Sequence, residues 1–384
     1  MSATVHDEAT LALLRLSLTP GIGPKLTSAL LERYGQPAAV FRASPAELQA
    51  IPHLGPKIAE QLVQHWLEQD QAVAAEVAAA AEKGVVLLGR GQPGYPSRLL
   101  ELPDPPTVLY LRGTLEARDE RAIGIVGSRQ CTAYGRRITE RLARGLAQRG
   151  FTIISGLARG IDAAAHQAAL EAGGRTLAIL AGGLSKVYPP EHQDLAEAIV
   201  AAGGLLSESP MGMAPLPDMF PRRNRLISGL SLGVIVVEAN AQSGALITAR
   251  HAAEQGRDVF AVPGPVDSPA SAGPLKLLRD GAILVRDVDD VLEQLGDGDA
   301  SLQTGISTDA STDAHVEMPV APPPNLTPEQ RQLWDALTQP GMHQDELIQA
   351  TRLDSAVAGS ALMMLELTGV LRRLPGNRFE RRGR

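Results

Sequence analysis

From residue 121 to about 295 the chain alternates short apolar runs with longer stretches whose apolar positions recur every three or four residues. The short runs are AIGIVG, FTIIS, TLAILAG, GLLSE, GVIVVEA, DVFAVPG and AILV, of strand length and rich in Ile, Val and Leu. Between them lie stretches such as YGRRITERLARGLAQRG and IDAAAHQAALEAGG, amphipathic at helical spacing. A strand that is apolar throughout must be covered on both faces, and helices placed between successive strands supply that cover. The pattern predicts an α/β chain whose centre, residues 117–296, is a Rossmann-like doubly wound parallel sheet.

The flanks follow other patterns. Residues 1–82 read as short helices punctuated by two similar turns, LTPGIGPKLTSALLERYG and IPHLGPKIAEQLVQHWL. Such turns aim backbone N–H groups outward at a helix N-terminus, where an anion can sit. They resemble tandem helix-hairpin-helix or sterile-alpha-motif-like elements, and serve equally as tight turns of a small bundle. Residues 83–116 are Pro-rich with strand-like runs and read as a connector lying on the core. Residues 297–325 combine acidic, Gly, Ser, Thr and Pro residues and read as a flexible linker. Residues 326–384 show three helical stretches and a terminal hairpin, a winged-helix pattern. Thr327, Pro328 and Gln330 have the spacing of a capping box.

Charge changes the picture only once it is divided along the chain. The formal net charge is −7, yet residues 287–325 hold nine acidic residues and no Lys or Arg, which leaves the other 345 residues at +2. The acidic total therefore does not exclude a polyanionic partner. The segment 326–384 sums to +1 although its last helix and hairpin carry Arg372, Arg373, Arg378, Arg381 and Arg382. A single cysteine, Cys131, excludes an internal disulfide and a Cys-based zinc site. No apolar run approaches a membrane span, and the first residues are acidic where a signal peptide is basic. A cytoplasmic protein is expected.

In doubly wound sheets ligands bind at the C-terminal ends of the strands. Gly127, Ser128 and Arg129 follow the first strand; Ser155, Gly156, Arg159 and Gly160 follow the second. Lys186 follows the third, and Ser243 with Gly244 open the helix after EAN. Repeated small residues, backbone donors and isolated cations at one sheet edge point to a phosphate-bearing ligand. No G-x-G-x-x-G or G-x-x-x-x-G-K-[ST] motif is present, which argues against dinucleotide and P-loop chemistry. Cys131 stands at a predicted helix N-terminus, which would lower its thiol pKa, but no partnered base is evident. Asp162 and His166, four apart, could share a proton or a metal; a helix-start acid and a structural histidine is the simpler reading. Glu238 is the best lone general-base candidate. In FPRRNR, Phe220 offers a stacking face while Arg222, Arg223 and Arg225 offer phosphate contacts at the start of a helix, one of the three being expected to brace the sheet. An aromatic among cations suits single-stranded nucleic acid.

These stretches in order, GIVGSRQCTAYG, IISGLARGIDAAAHQAAL, AILAGGLSKVYPPEH, FPRRNRLISGLS and VVEANAQSGALITARHAAEQGRDVFAVPG, resemble the DNA-processing protein A (DprA/Smf) family known from bacterial transformation. The resemblance spans about 122–285. It implies single-stranded DNA binding, loading of the RecA recombinase, dimerisation, no cofactor and no enzymatic activity. Carried over residue by residue, the DNA pocket comprises Gly127, Ser128, Arg129, Gly156, Arg159, Lys186, Phe220, Arg223, Asn224 and Arg225. Leu275 stands where the family pattern S-x-G-x-N-x-L-I has asparagine. The nearby Leu275, Leu277, Leu278, Ile283 and Leu284 are the expected dimer contact. Two rivals remain: a nucleoside-monophosphate phosphoribohydrolase, whose catalytic Glu is missing from NAQSGALITA, and a structural adaptor acting through its winged helix.

Overall fold

The computed structural model describes residues 7–52, 54–296, 326–337, 342–351, 353–368, 370–374 and 378–381. They fall into two compact units, 1–303 and 304–384. The first opens with helices α1 (Glu8–Leu18), α2 (Pro24–Tyr34), α3 (Pro37–Val40), α4 (Pro45–Leu48), α5 (Pro56–Glu68) and α6 (Asp70–Glu82). Proline begins each of α2 to α5. There its fixed φ suits the first turn and its missing N–H is not needed. The two similar turns lead into α2 and α5, whose N-caps are Gly23 and Gly55. Leu16, Leu30, Leu48, Leu54, Leu62 and Trp66 form the core beneath them.

The sheet follows: β1 (Val85–Gly89), α7 (Ser97–Leu100), β2 (Val108–Gly113), β3 (Ala122–Val126), α8 (Ala133–Gln148), β4 (Thr152–Ser155), α9 (Ile161–Glu171) and β5 (Thr176–Ile179). Next come α10 (Gln193–Ala202), β6 (Gly204–Ser207), α11 (Met219–Gly229), β7 (Gly233–Val236), α12 (Ala245–Glu254) and β8 (Asp258–Ala261). It ends with α13 (Ala272–Arg279), β9 (Ile283–Leu284) and α14 (Val288–Leu295). The strand order is β1-β2-β6-β5-β4-β3-β7-β8-β9. Strands from β6 through β9 in that order run parallel. The two from the Pro-rich connector pair antiparallel, β1 on β2 and β2 on β6. The connector therefore extends the sheet instead of only lying on it. Its runs VVLLG and VLYLRG are buried at nearly every position, and such runs need a partner for their backbone as well as their side chains.

Both sheet faces are covered. Ile138, Leu142 and Leu146 of α8 and Val288 and Val291 of α14 meet Ile123, Ile125 and Ile235 on one face. Leu226 and Ile227 of α11 and Ala245 and Ala249 of α12 meet Val126, Val234 and Val236 on the other. The chain moves outward through β3, β4, β5 and β6, then returns to place β7 on the other flank of β3. Connections on either side of that reversal diverge, and a crevice opens at the C-terminal ends of β3 and β7.

The second unit contains α15 (Pro328–Ala336), β10 (Met342–His343), α16 (Gln344–Thr351), α17 (Ser355–Leu367), β11 (Leu371–Leu374) and β12 (Arg378–Arg381), with strand order β10-β12-β11. The capping box forms: Gln330 N–H donates to Thr327 Oγ1 at 3.3 Å, and Thr327 N–H donates to Gln330 Oε1 at 3.0 Å. Leu333, Trp334, Leu347, Leu362, Leu365 and Phe379 close its core. The expected linker 297–325, Arg382, and the side chains of Arg372, Arg373, Arg378 and Arg381 lie outside the described residues.

Candidate nucleic-acid interface

A cleft of about 930 Å³ fills the crevice at the switch point. The turn Gly127–Ser128–Arg129 after β3 forms one wall, and Asn240, Gln242, Ser243 and Gly244 after β7 form another. Arg159 reaches it from the turn after β4, and α11 supplies Phe220, Arg223, Asn224 and Ile227. The turn after β4 is sterically demanding. Gly160 has φ 75°, and a Cβ there would lie 2.2 Å from Ser128 O. Leu157, with φ 59°, adopts the left-handed region that non-glycine residues rarely enter.

FPRRNR lies in the first turns of α11, with Asp218 as N-cap, so its arginines stand within the helix itself. Pro221 is tolerated there because first-turn N–H groups have no intrahelical partner. Helical geometry then divides the run. Phe220, Arg223, Asn224 and Ile227 stand at i, i+3, i+4 and i+7, on the face that lines the cleft. Arg222 and Arg225 fall elsewhere. Arg222 is exposed beside a separate cavity of about 320 Å³ shared with the Thr19–Pro24 turn. Arg225 is buried and ion-paired, Nη2 to Glu208 Oε2 at 2.5 Å and Nε to Asp104 Oδ2 at 3.3 Å. The expected bracing arginine is thus Arg225.

Arg223 is also buried, and it sits on the cleft floor. Its Nη1 donates to Gly156 O at 2.8 Å. A Cβ on Gly156 would lie 2.5 Å from its Nη2, so any larger residue there would require the guanidinium to shift. Burial pulls the Arg223 pKa down to about 10, opposed by Asp162 and reinforced by Arg129. The group stays cationic at neutral pH. Asp162 accepts from Gly156 N–H at 3.1 Å and Ala158 N–H at 3.3 Å. Burial pushes its carboxyl pKa up against the pull of Arg223. Asn224 ties α11 to the opposite wall, Nδ2 donating to Gly244 O at 3.2 Å.

Above this floor the aromatic platform is layered. The Arg129 guanidinium lies 5.0 Å from the Phe220 ring centroid, and the Tyr188 ring lies 6.0 Å away at 60°. Tyr188 is 45% exposed. Lys186, exposed, lines a small recess with Gly156, Tyr188, Phe220 and Arg223. The sequence reading missed Tyr188, Asn240 and Gln242. An aromatic two positions after Lys186 was the available signal for the first. Asn240 and Gln242 lie in the same turn as Ser243 and Gly244, so their position in sequence was the available signal for them.

The catalytic candidates are engaged in structural roles. Glu238 is buried and accepts from Thr132 N–H at 2.8 Å and Thr132 Oγ1–H at 2.5 Å, fixing the N-cap of α8. The Cys131 thiol pKa is raised, not lowered: burial outweighs the attraction of Arg136. Asp162 and His166 share α9 but not a partner, since His166 Nδ1 is 2.6 Å from Thr176 Oγ1. Among the described residues no group of three or more His, Cys, Asp or Glu is placed to hold a metal, and no helix is long and apolar enough to cross a membrane.

Of the expected dimer residues, Leu277 and Ile283 pack partly against the two cores. Leu275 and Leu278 are half-buried on α13, and Leu284 on the edge strand β9 is 47% exposed.

Residues 86–296 match the profile of DNA recombination-mediator protein A, 317–377 that of the DprA winged helix domain, and 13–66 that of the SAM-like helix-hairpin-helix tandem. The chain is 35% identical to Protein Smf of Synechocystis sp. over 397 residues, covering 95% of this chain and 97% of that one. Its structure is similar to the X-ray structure of DNA processing protein A from Streptococcus pneumoniae, with TM-score 0.65 and 32% identity over 76% of this chain and 99% of that one. It is also similar to DNA processing protein A from Helicobacter pylori, described for its single-stranded DNA binding mode, with TM-score 0.50 and 30% identity over 55% of this chain and 95% of that one. With its sheet, its two flanking elements and most of its length in correspondence, the chain belongs to the DNA recombination-mediator protein A family.

Proposed function

We propose that the chain binds single-stranded DNA in the switch-point cleft and, as a homodimer joined near β9, delivers it to the RecA recombinase. One observation carries the binding step: Phe220 is flanked by Arg129 and Tyr188 in a cleft also lined by Arg159 and Arg223, with Asp162 the carboxylate among its described lining residues. Rings accept any base by stacking, and arginines with outward turns follow phosphates, so such a cleft favours strands whose bases are unpaired. A duplex hides its base faces and would meet only the cations. The Helicobacter pylori neighbour's described binding mode supports the same ligand. Glu238 and Asp162, held by backbone and threonine donors, support binding without catalysis.

The full chain titrated with an oligothymidylate and with a duplex of equal length, over a salt series, tests this. Tighter binding of the single strand is expected, with a log–log slope of about −0.7 for each phosphate neutralised. Preference for the duplex, a flat salt response, or free base released from nucleoside monophosphates would each overturn it. The delivery step is read separately, as faster RecA filament growth on strand already bound by this protein.

A further inference from the structure

Arg159 stands on a ridge between two clefts. Arg129, Gln130 and Arg159 line both the switch-point cleft and a neighbouring one of about 790 Å³, whose walls include Glu171, Glu191 and Asp194. The Arg159 guanidinium is already occupied: its Nε lies 2.5 Å from Glu191 Oε1. The pair is solvent-accessible, with side chains 54% and 48% exposed. Arg129, on the same ridge, lies instead over the Phe220 ring. The two ridge arginines are thus held by different chemistry, one by an aromatic face and one by a carboxylate.

We infer that Glu191 holds Arg159 in the position a backbone phosphate would take, and so determines which anions that side of the cleft admits. The inference rests on the proposed binding of single strands. An exposed ion pair is weak, so a phosphate can exchange with the carboxylate. A carboxylate on the same chain nevertheless competes at a high local concentration, and a free anion arriving from solution is at a disadvantage. A phosphodiester whose neighbouring base is already on Phe220 is itself tethered and loses that disadvantage. Glu191 therefore reserves Arg159 for a polymer. A purely structural Glu191 would brace the short helical turn Pro190–His192 and have no effect on strand affinity through Arg159.

The test is a double-mutant cycle in the full chain, with oligothymidylate binding at low salt as the readout and melting temperature as the folding control. Glu191→Gln is expected to bind about two- to five-fold tighter, the range an exposed pair can contribute. Arg159→Ala is expected to erase that gain. Glu171→Gln removes the same charge from the same neighbouring cleft, but Glu171 pairs with Arg144, so no comparable gain is expected. No tightening in Glu191→Gln, a gain that survives in Glu191→Gln/Arg159→Ala, or an equal gain in Glu171→Gln would each overturn the inference. A wild-type chain that binds no single strand defeats the functional reading and this inference together; a chain that binds but shows no coupling defeats the inference alone.

Discussion

At the level of single residues, ion pairing separates the two buried cations of α11: Arg225 is paired with carboxylates and holds the fold, whereas Arg223 lines the cleft. Arg225 neutralises Glu208, whose carboxyl pKa burial pushes up while Arg225 draws it down. Truncating one member of such a buried pair costs about 3–5 kcal/mol, because the other is left uncompensated. Arg225→Ala is expected to lose stability of that order in urea denaturation while leaving the salt slope of strand binding unchanged. Arg129→Ala is expected to do the reverse, flattening the slope by about 0.7 with little change in stability. Phe220→Ala is expected to weaken binding by about 1–3 kcal/mol at every salt concentration, since stacking releases no counterions. His166 offers an independent check on the core beneath the cleft. Burial holds its pKa down at about 3. Between that value and the unfolded value near 6.5, the unfolded chain binds the proton and the folded chain does not. Its contribution to stability is therefore complete above about pH 6.5 and falls by about 1.4 kcal/mol for each unit of acidification below it. His166→Asn removes the titrating group, so the stability difference between wild type and variant is expected to shrink toward acid pH. A difference independent of pH would show that another group sets the acid limb.

At the level of elements, the sequence pattern carried furthest where side-chain period alone decides the outcome. Every apolar run named between 121 and 285 became a strand, because a run buried on both faces has few alternatives. Thr327 and Gln330 formed the capping box their spacing implies. What the pattern could not show was which backbone satisfied which. VVLLG and VLYLRG are legible as strands, but the second also pairs with β6, about a hundred residues away. FPRRNR is the sharper case: as a run its arginines read as contacts made together, whereas helical phase sends Arg223 to the cleft and Arg225 into the protein. Most residues expected in the pocket do converge at the switch point, since turns after adjacent parallel strands share one edge. The ion pairs of Arg225 and Arg159 are long-range and leave no local trace. One turn can be tested directly. Gly160→Ala meets a positive φ and a backbone oxygen 2.2 Å from its Cβ. A loss of roughly 1–3 kcal/mol is expected from the strained backbone, with weaker strand binding because Ser128 and Arg129 are displaced. Unchanged stability would mean that the turn relaxes freely.

At the scale of the whole molecule, the two flanks of the sheet differ among the described residues: helices pack against one edge strand, and the other edge strand is short and part-exposed. On the β1 side the helices α1 and α6 pack against the edge strand. On the far side β9 is a two-residue edge strand whose Leu284 is 47% exposed. Short length alone limits how much of that edge can pair with another chain, but its apolar side chains still favour cover. A two-fold contact using Leu275, Leu278 and Leu284 would supply it, each copy offering the same patch to the other. β9 is two strands from β7, about 10 Å at ordinary strand spacing. Such a contact would set two clefts near one another, so that a single strand long enough to span both binds by avidity. Leu284→Arg is the more discriminating substitution, because Leu284 is exposed whereas Leu277 and Ile283 already serve the core. The variant is expected to sediment as a monomer at concentrations where wild type is a dimer, and to keep its melting behaviour. It is expected to bind a short oligothymidylate as wild type does and a long one more weakly. The length dependence separates avidity from damage to the cleft: equal weakening at both lengths would place Leu284 in the binding site itself, and a monomeric wild type at high micromolar concentration would remove the dimer.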